Sequence, residues 1–127
     1  MAKLSEIEKL VLSVITHQGI LGCAVASRTG HGEILLQSSL ENTDPTLLNV
    51  LISSNLLIGE RLGNELGNTQ AEYLLLNFRE TNAIVVPGGE HVALLVLASA
   101  SEDLREIIAS ACEVAGKIAE VVRNKAG

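Results

Sequence analysis

The sequence predicts an α+β domain in the order α-β-β-α-β-β-β-α, with a five-stranded antiparallel sheet. Three observations predict it. Apolar residues recur at helical spacing in three separate segments. Five shorter apolar runs lie between them, and the connections within each group of strands are of hairpin length. Strands do not alternate singly with helices, which excludes the doubly wound dinucleotide fold.

The first helix is predicted over Leu4–Ile15, with Leu4, Ile7, Leu10, Val11 and Val14 on one face. Ser5 and Glu8, three residues apart, form a capping box for its start, and Gly19 ends it. Ile20–Ser27 (ILGCAVAS) is apolar at both parities, as suits a strand covered on both faces. Glu33–Ser39 (EILLQSS) is the second strand. The joining stretch SRTGHG raises the question of a phosphate site. A phosphate-cradling glycine loop leads from a strand into a helix N-terminus, whereas EILLQSS reads as a strand, so the glycines supply the positive φ of a hairpin turn. Arg28 and His31 sit at its tip.

ENTDPT then carries helix-start chemistry, with Thr43 or Asp44 as cap and Pro45 in the first turn. From there to Leu66 runs a helix of about 22 residues, roughly 33 Å long, closed by Gly67. Three strands follow, Ala71–Arg79, Ala83–Pro87 and His91–Ala98, joined through ETN and GGE. The last helix begins near Ser101 and runs to about Arg123, with Leu104, Ile107, Ala111, Val114, Ile118 and Val122 on its apolar face. Glu102 and Asp103 at its start and Arg123 and Lys125 at its end suit the helix dipole.

At 127 residues the chain is expected to be one domain spanning 1–127. Apolar residues make up 47% and aromatics only 2%, so the core is aliphatic. A chain so poor in aromatics is a weak candidate for stacking bases, flavins or haem, and no cofactor is expected. The formal charge of −6, with basic residues scattered, argues against nucleic acid as a partner. Cys23 and Cys112 lie in apolar segments outside any C-x-x-C pair and read as buried, inert thiols of a cytoplasmic protein with no signal-peptide pattern. No apolar run reaches the ~20 residues of a membrane helix, so no membrane insertion is expected. His17, His31 and His91 have no carboxylate or cysteine at ligand spacing, which leaves no metal site. No G-x-S-x-G elbow is present, and Pro87–His91 reads as turn chemistry. No residue is assigned a catalytic role.

The informative segment is the second helix. Turning about 100° per residue from Asp44, its uniformly polar arc spans only Asn49, Ser53, Glu60 and Asn64. Opposite lie Leu47, Leu48, Leu51, Ile58, Leu62 and Leu66, the set expected to cover the sheet. Apolar residues remain on both flanks, Ile52 and Leu56 on one and Val50 and Leu57 on the other. A surface helix ordinarily carries an apolar stripe a little over 100° wide, so one sheet is not enough to cover this helix. Gly59 and Gly63 share the flank of Ile52 and Leu56, which suggests close backbone approach by another element, the same helix of a second copy in preference to the chain's own sheet. The strand after it carries Tyr73, Leu74, Leu75, Leu76 and Phe78 and no interior proline or lysine. Such a strand at a sheet edge is a hazard unless paired, and pairing with its own copy would remove the edge. A homodimer is therefore expected, with Ile52, Leu56, Gly59, Gly63, Tyr73, Leu75 and Asn77 at the interface.

At this point the chain resembles the Roadblock family, named for a dynein light chain and including the bacterial MglB-type regulators of Ras-like GTPases. The resemblance rests on GILGCAVASRTGHGEILLQSS, on SNLLIGERLGNELG within the long apolar helix, and on LLLNFRETNAIVVPGGEHVALLVLAS. Family members often carry an Asp-containing D-x-x-G in the first turn, where this chain has SRTGHG. The resemblance implies a profilin-like arrangement, with the second helix on one face of the sheet and the first and last on the other. It also implies a homodimer with a continuous sheet, no active site, and either scaffolding or binding of a Ras-like small GTPase. Asn49, Ser53, Glu60, Arg61 and Asn64 are the residues expected to meet that partner. Arg28, Arg61 and Arg79 are the available arginines, and none is assigned as a catalytic finger. Two alternatives stand beside this reading: a structural light-chain-type adaptor indifferent to nucleotide, and a small-ligand sensor, which would need a pocket with convergent polar groups.

Overall fold

The structure is a computed structural model and describes residues 2–28, 33–38, 40 and 43–126. Its elements are α1 (Ala2–Ile15), β1 (Ile20–Ser27), β2 (Glu33–Ser38), α2 (Pro45–Glu65), β3 (Leu74–Asn77), β4 (Thr81–Gly88), β5 (Val92–Ser99) and α3 (Leu104–Ala126). The strands form one sheet in the order β2-β1-β5-β4-β3, antiparallel throughout. Hairpins β1–β2 and β4–β5 therefore lie side by side, and β3 extends the sheet beyond β4 to become one edge.

The apolar periodicity of the strands splits the core in two. Cys23, Val25, Ile84, Leu94 and Val96 face α1 and α3, where they meet Ile7, Val11 and Val14 from the first helix and Ile107, Ala111, Val114 and Ile118 from the last. Ala24, Ala26, Ala83, Val85, Ala93 and Leu95 face α2. The sheet residues beneath α2 are mostly alanine.

The element bounds depart from expectation in three instructive places. First, α1 begins at Ala2, so Ser5 lies inside the helix and is not its cap; Ala2, Lys3 and Leu4 are strong helix formers and carry the helix one turn further. Second, α3 starts at Leu104, where the Asp103 carboxylate accepts from the Arg105 N–H at 3.0 Å, rather than near Ser101. Third, β3 spans only Leu74–Asn77, much less than the Ala71–Arg79 expected, because the Phe78 N–H donates to the Thr81 carbonyl at 2.8 Å and closes the turn there. β4 is correspondingly longer and runs through Pro87. That proline, which has no N–H to donate, sits beyond the Leu74–Val85 pair, where β4 has no neighbour on its β3 side. The hairpin tip with His31 lies outside the described residues.

Candidate functional site

The second helix is built as its sequence requires. Asp44 is extended at the N-cap and its carboxylate accepts from the Thr46 N–H at 2.9 Å, with Pro45 in the first turn. Asp44→Ala should cost about 1 kcal/mol, read as a lower midpoint in urea unfolding. At the other end, Gly67 at φ 111° and Asn68 at φ 61° reverse the chain, and the Thr69 N–H donates to the Gly63 carbonyl at 3.1 Å.

The phase of this helix differs from the expected one. Its buried residues are Leu48, Ile52, Leu56, Gly59 and Gly63. Ile52, Leu56, Gly59 and Gly63, assigned from the sequence to a second copy, are thus turned inward, the first three onto the chain's own sheet and Gly63 onto the Thr69 backbone. The reason is steric. A Cβ on Gly59 would stand 3.3 Å from the Leu74 side chain, and one on Gly63 would overlap the Thr69 carbonyl oxygen. The glycines allow close approach within this chain. Of the set expected to cover the sheet, only Leu48 does so; Leu47, Leu51, Ile58 and Leu62 are between 50% and 64% exposed.

At about 100° per residue, Leu47, Leu51, Ile58 and Leu62 fall within an arc of roughly 60°. Gly59, on the half of the buried face nearer this arc, touches Leu74 of β3, whereas Glu60, past the other side of that face, reaches Arg28 at the end of β1. The exposed line therefore runs along the β3 edge of the domain. Val50 and Leu57, each half exposed, continue the apolar surface outward. Exposed apolar residues grouped on one side of a helix are a feature that interaction surfaces share.

β3 lies directly beside it. It pairs with β4 alone, and Tyr73, Leu75 and Phe78 are exposed. Asn77 is engaged within the chain, its Nδ2 donating to Oδ1 of the buried Asn82 at 2.6 Å. Of the residues expected at a homodimer contact, then, Tyr73 and Leu75 are free to meet a partner.

The polar arc comes together in part. Ser53, Glu60 and Asn64 are exposed on the flank away from β3. Asn49 is half-buried there, with an Oδ1 that is buried and accepts nothing. Arg61 follows Glu60 in sequence but lies about 100° round the helix, among Val50 and Leu57. Glu60 forms an ion pair with Arg28.

A cleft of about 810 Å³ opens beneath the C-terminal half of α2, lined by Glu60, Asn64, Thr69–Glu72, the Pro87–Glu90 turn, and Cys112 and Gly116 of α3. It opens where β3 stops short of Val86, and Arg28 and the core residues Leu56, Leu74 and Val86 also line it. No group of His, Cys, Asp and Glu among the described residues could hold a metal ion. Among those same residues, no helix is long and apolar enough to cross a membrane.

Burial pushes the Cys23 thiol up to about 11, and desolvation, with the nearby Glu72 charge, also raises Cys112. Both thiols therefore stay neutral at physiological pH. For Cys23, whose ordinary value is 9.0, the unfolded chain ionises first as pH rises toward about 11. Folded stability contributed by the neutral thiol is complete below the lower value and is lost through that window, on the order of 2 kcal/mol. Urea unfolding between these pH values should show this decline, and Cys23→Ala should lack it.

The sequence profile of the Roadblock/LC7 domain matches residues 6–98. A search of curated proteins finds no sequence match. Among solved structures, MglB from Myxococcus xanthus superposes with a TM-score of 0.82 at 12% identity, over 95% of this chain and 90% of that one. The gliding protein MglB from Thermus thermophilus gives 0.81 at 16% identity, over 98% and 93%. A Roadblock/LC7 domain from Streptomyces avermitilis gives 0.76 at 15%, over 91% and 96%. At these identities the likeness is one of fold.

Proposed function

The chain belongs to the Roadblock/LC7 domain family, and on that footing we propose that it is a non-catalytic, homodimeric binding module that regulates or scaffolds a Ras-like small GTPase in the cytoplasm. The observation that carries this reading is the uncovered apolar line on α2. Leu47, Leu51, Ile58 and Leu62 are symmetric about Ser54–Asn55, so a two-fold axis there would set Leu47 against Leu62 and Leu51 against Ile58 of a second copy. A two-fold interface needs this self-complementarity. Ser54 is small enough to admit the crossing, and Asn55 is satisfied within its own helix, donating to the Leu51 carbonyl at 2.8 Å. The exposed β3 edge beside this line would pair with its own copy and continue the sheet.

With that line covered, the surface of α2 left for a third component carries Ser53, Arg61 and Asn64, with Val50 and Leu57 between them. Asn49 and Glu60 contribute less directly, one through its buried amide oxygen and the other through its ion pair with Arg28. The test is capture of a Ras-like GTPase loaded with GTP or with GDP. Binding that depends on the nucleotide supports the reading, and failure with both forms removes it. Equal binding to both forms would identify a structural light-chain-type adaptor.

A further inference from the structure

Beyond Leu56, α2 buries no large side chain. Leu57, Ile58 and Leu62 are exposed, and only Gly59 and Gly63 turn inward. The last two turns of the helix thus hang over the cleft that Glu60 and Asn64 line. Helical stability in proteins comes mostly from tertiary packing, and this half has little of it.

Among the described residues, the Arg28 side chain spans the gap. Arg28 emerges from the end of β1, its own N–H fixed to the His91 carbonyl at 2.7 Å. Its Nη1 donates to the Gly89 carbonyl at 2.9 Å, and its Nη2 to the Glu60 carboxylate. The Arg28 side chain is only 21% exposed and Glu60 53%, so the pair is partly sheltered from solvent screening. A planar guanidinium serves two acceptors at fixed angles, which a lysine ammonium does less well. One arginine therefore joins β1, the β4–β5 turn and α2.

We infer that Arg28 is a positioning residue for the interaction helix, clasping the C-terminal half of α2 at the tilt at which it presents Leu57, Arg61 and Asn64. This rests on the reading of α2 as the binding element, but its test does not. Amide hydrogen exchange is measured on the chain alone, at a concentration where light scattering gives every variant the same mass. In Arg28→Ala, amides of residues 57–65 should exchange about three- to tenfold faster, with β1, β5 and α3 unchanged. Arg28→Lys, which keeps the charge and can bond only one acceptor well, should fall between, and 1 M NaCl should move the unaltered protein toward Arg28→Ala. Unchanged exchange in α2 would overturn the clasp, as would equal acceleration throughout the sheet, which would make Arg28 a general stabiliser. Because no GTPase is present, failure here leaves the GTPase reading standing, and failed GTPase capture leaves the clasp standing.

Discussion

Ile58→Asp is expected to convert a dimer into a folded monomer. Ile58 is 64% exposed on the single chain, so a carboxylate there has little to disturb in the fold. Across a two-fold axis at Ser54–Asn55 the same position faces Leu51 of the second copy, and symmetry introduces two buried carboxylates at once. Burying a charge without a partner is far costlier than burying a neutral polar group, and the centre of an interface is where truncation costs most. The dissociation constant should rise at least about 100-fold, or roughly 2.7 kcal/mol. Leu51→Asp should do the same. Ser53→Asp, on the opposite flank, should leave the mass unchanged while disturbing any GTPase contact. Sedimentation at micromolar concentration reads all three.

Ile52→Ala is expected to unfold the protein more readily by about 2–5 kcal/mol, while Leu47→Ala stays within about 0.5 kcal/mol of its parent. Ile52 is 2% exposed and packs above the sheet alanines, whereas Leu47 is 54% exposed. The comparison belongs in the Ile58→Asp background, where association no longer adds to apparent stability. Urea unfolding there isolates which face of α2 holds the chain together and which is kept for a partner. Equal losses for both variants would mean that the helix sits at a different rotation.

The way this helix divides between core and partner shows where the sequence speaks and where it does not. Pro45 marks its start to within a residue, because the cap and the missing proline N–H each meet a fixed geometric need. The sequence leaves the cap between Thr43 and Asp44, and the structure places it at Asp44. The strands around Cys23, Ile84 and Leu94 are equally legible from unbroken apolar runs between turn residues. The phase of α2 is not legible from hydrophobicity, since apolar residues ring most of its circumference. Size decides it: Gly59 and Gly63 share a phase with Leu48, Ile52 and Leu56. The three large residues pack on a sheet face that includes Ala24, Ala26, Ala83 and Ala93, and the two glycines meet Leu74 and the Thr69 backbone. Reading small residues on both partners as a matched pair, rather than as a sign of a second chain, would have found the buried face. The exposed line of Leu47, Leu51, Ile58 and Leu62 then follows by subtraction. The C-terminal limit of β3 comes from the Phe78–Thr81 turn, whereas nothing in Ala71–Tyr73 announces that pairing with β4 begins only at Leu74. The Arg28–Glu60 pair joins residues 32 positions apart; only the fold brings them together.

The central claim is that this α2 surface is more apolar than one copy can cover. Sedimentation equilibrium of the unaltered protein at micromolar concentration tests it most directly. The account predicts a mass of twice the 13.4 kDa chain. A single species at the mass of one chain, unchanged as concentration rises, would contradict it.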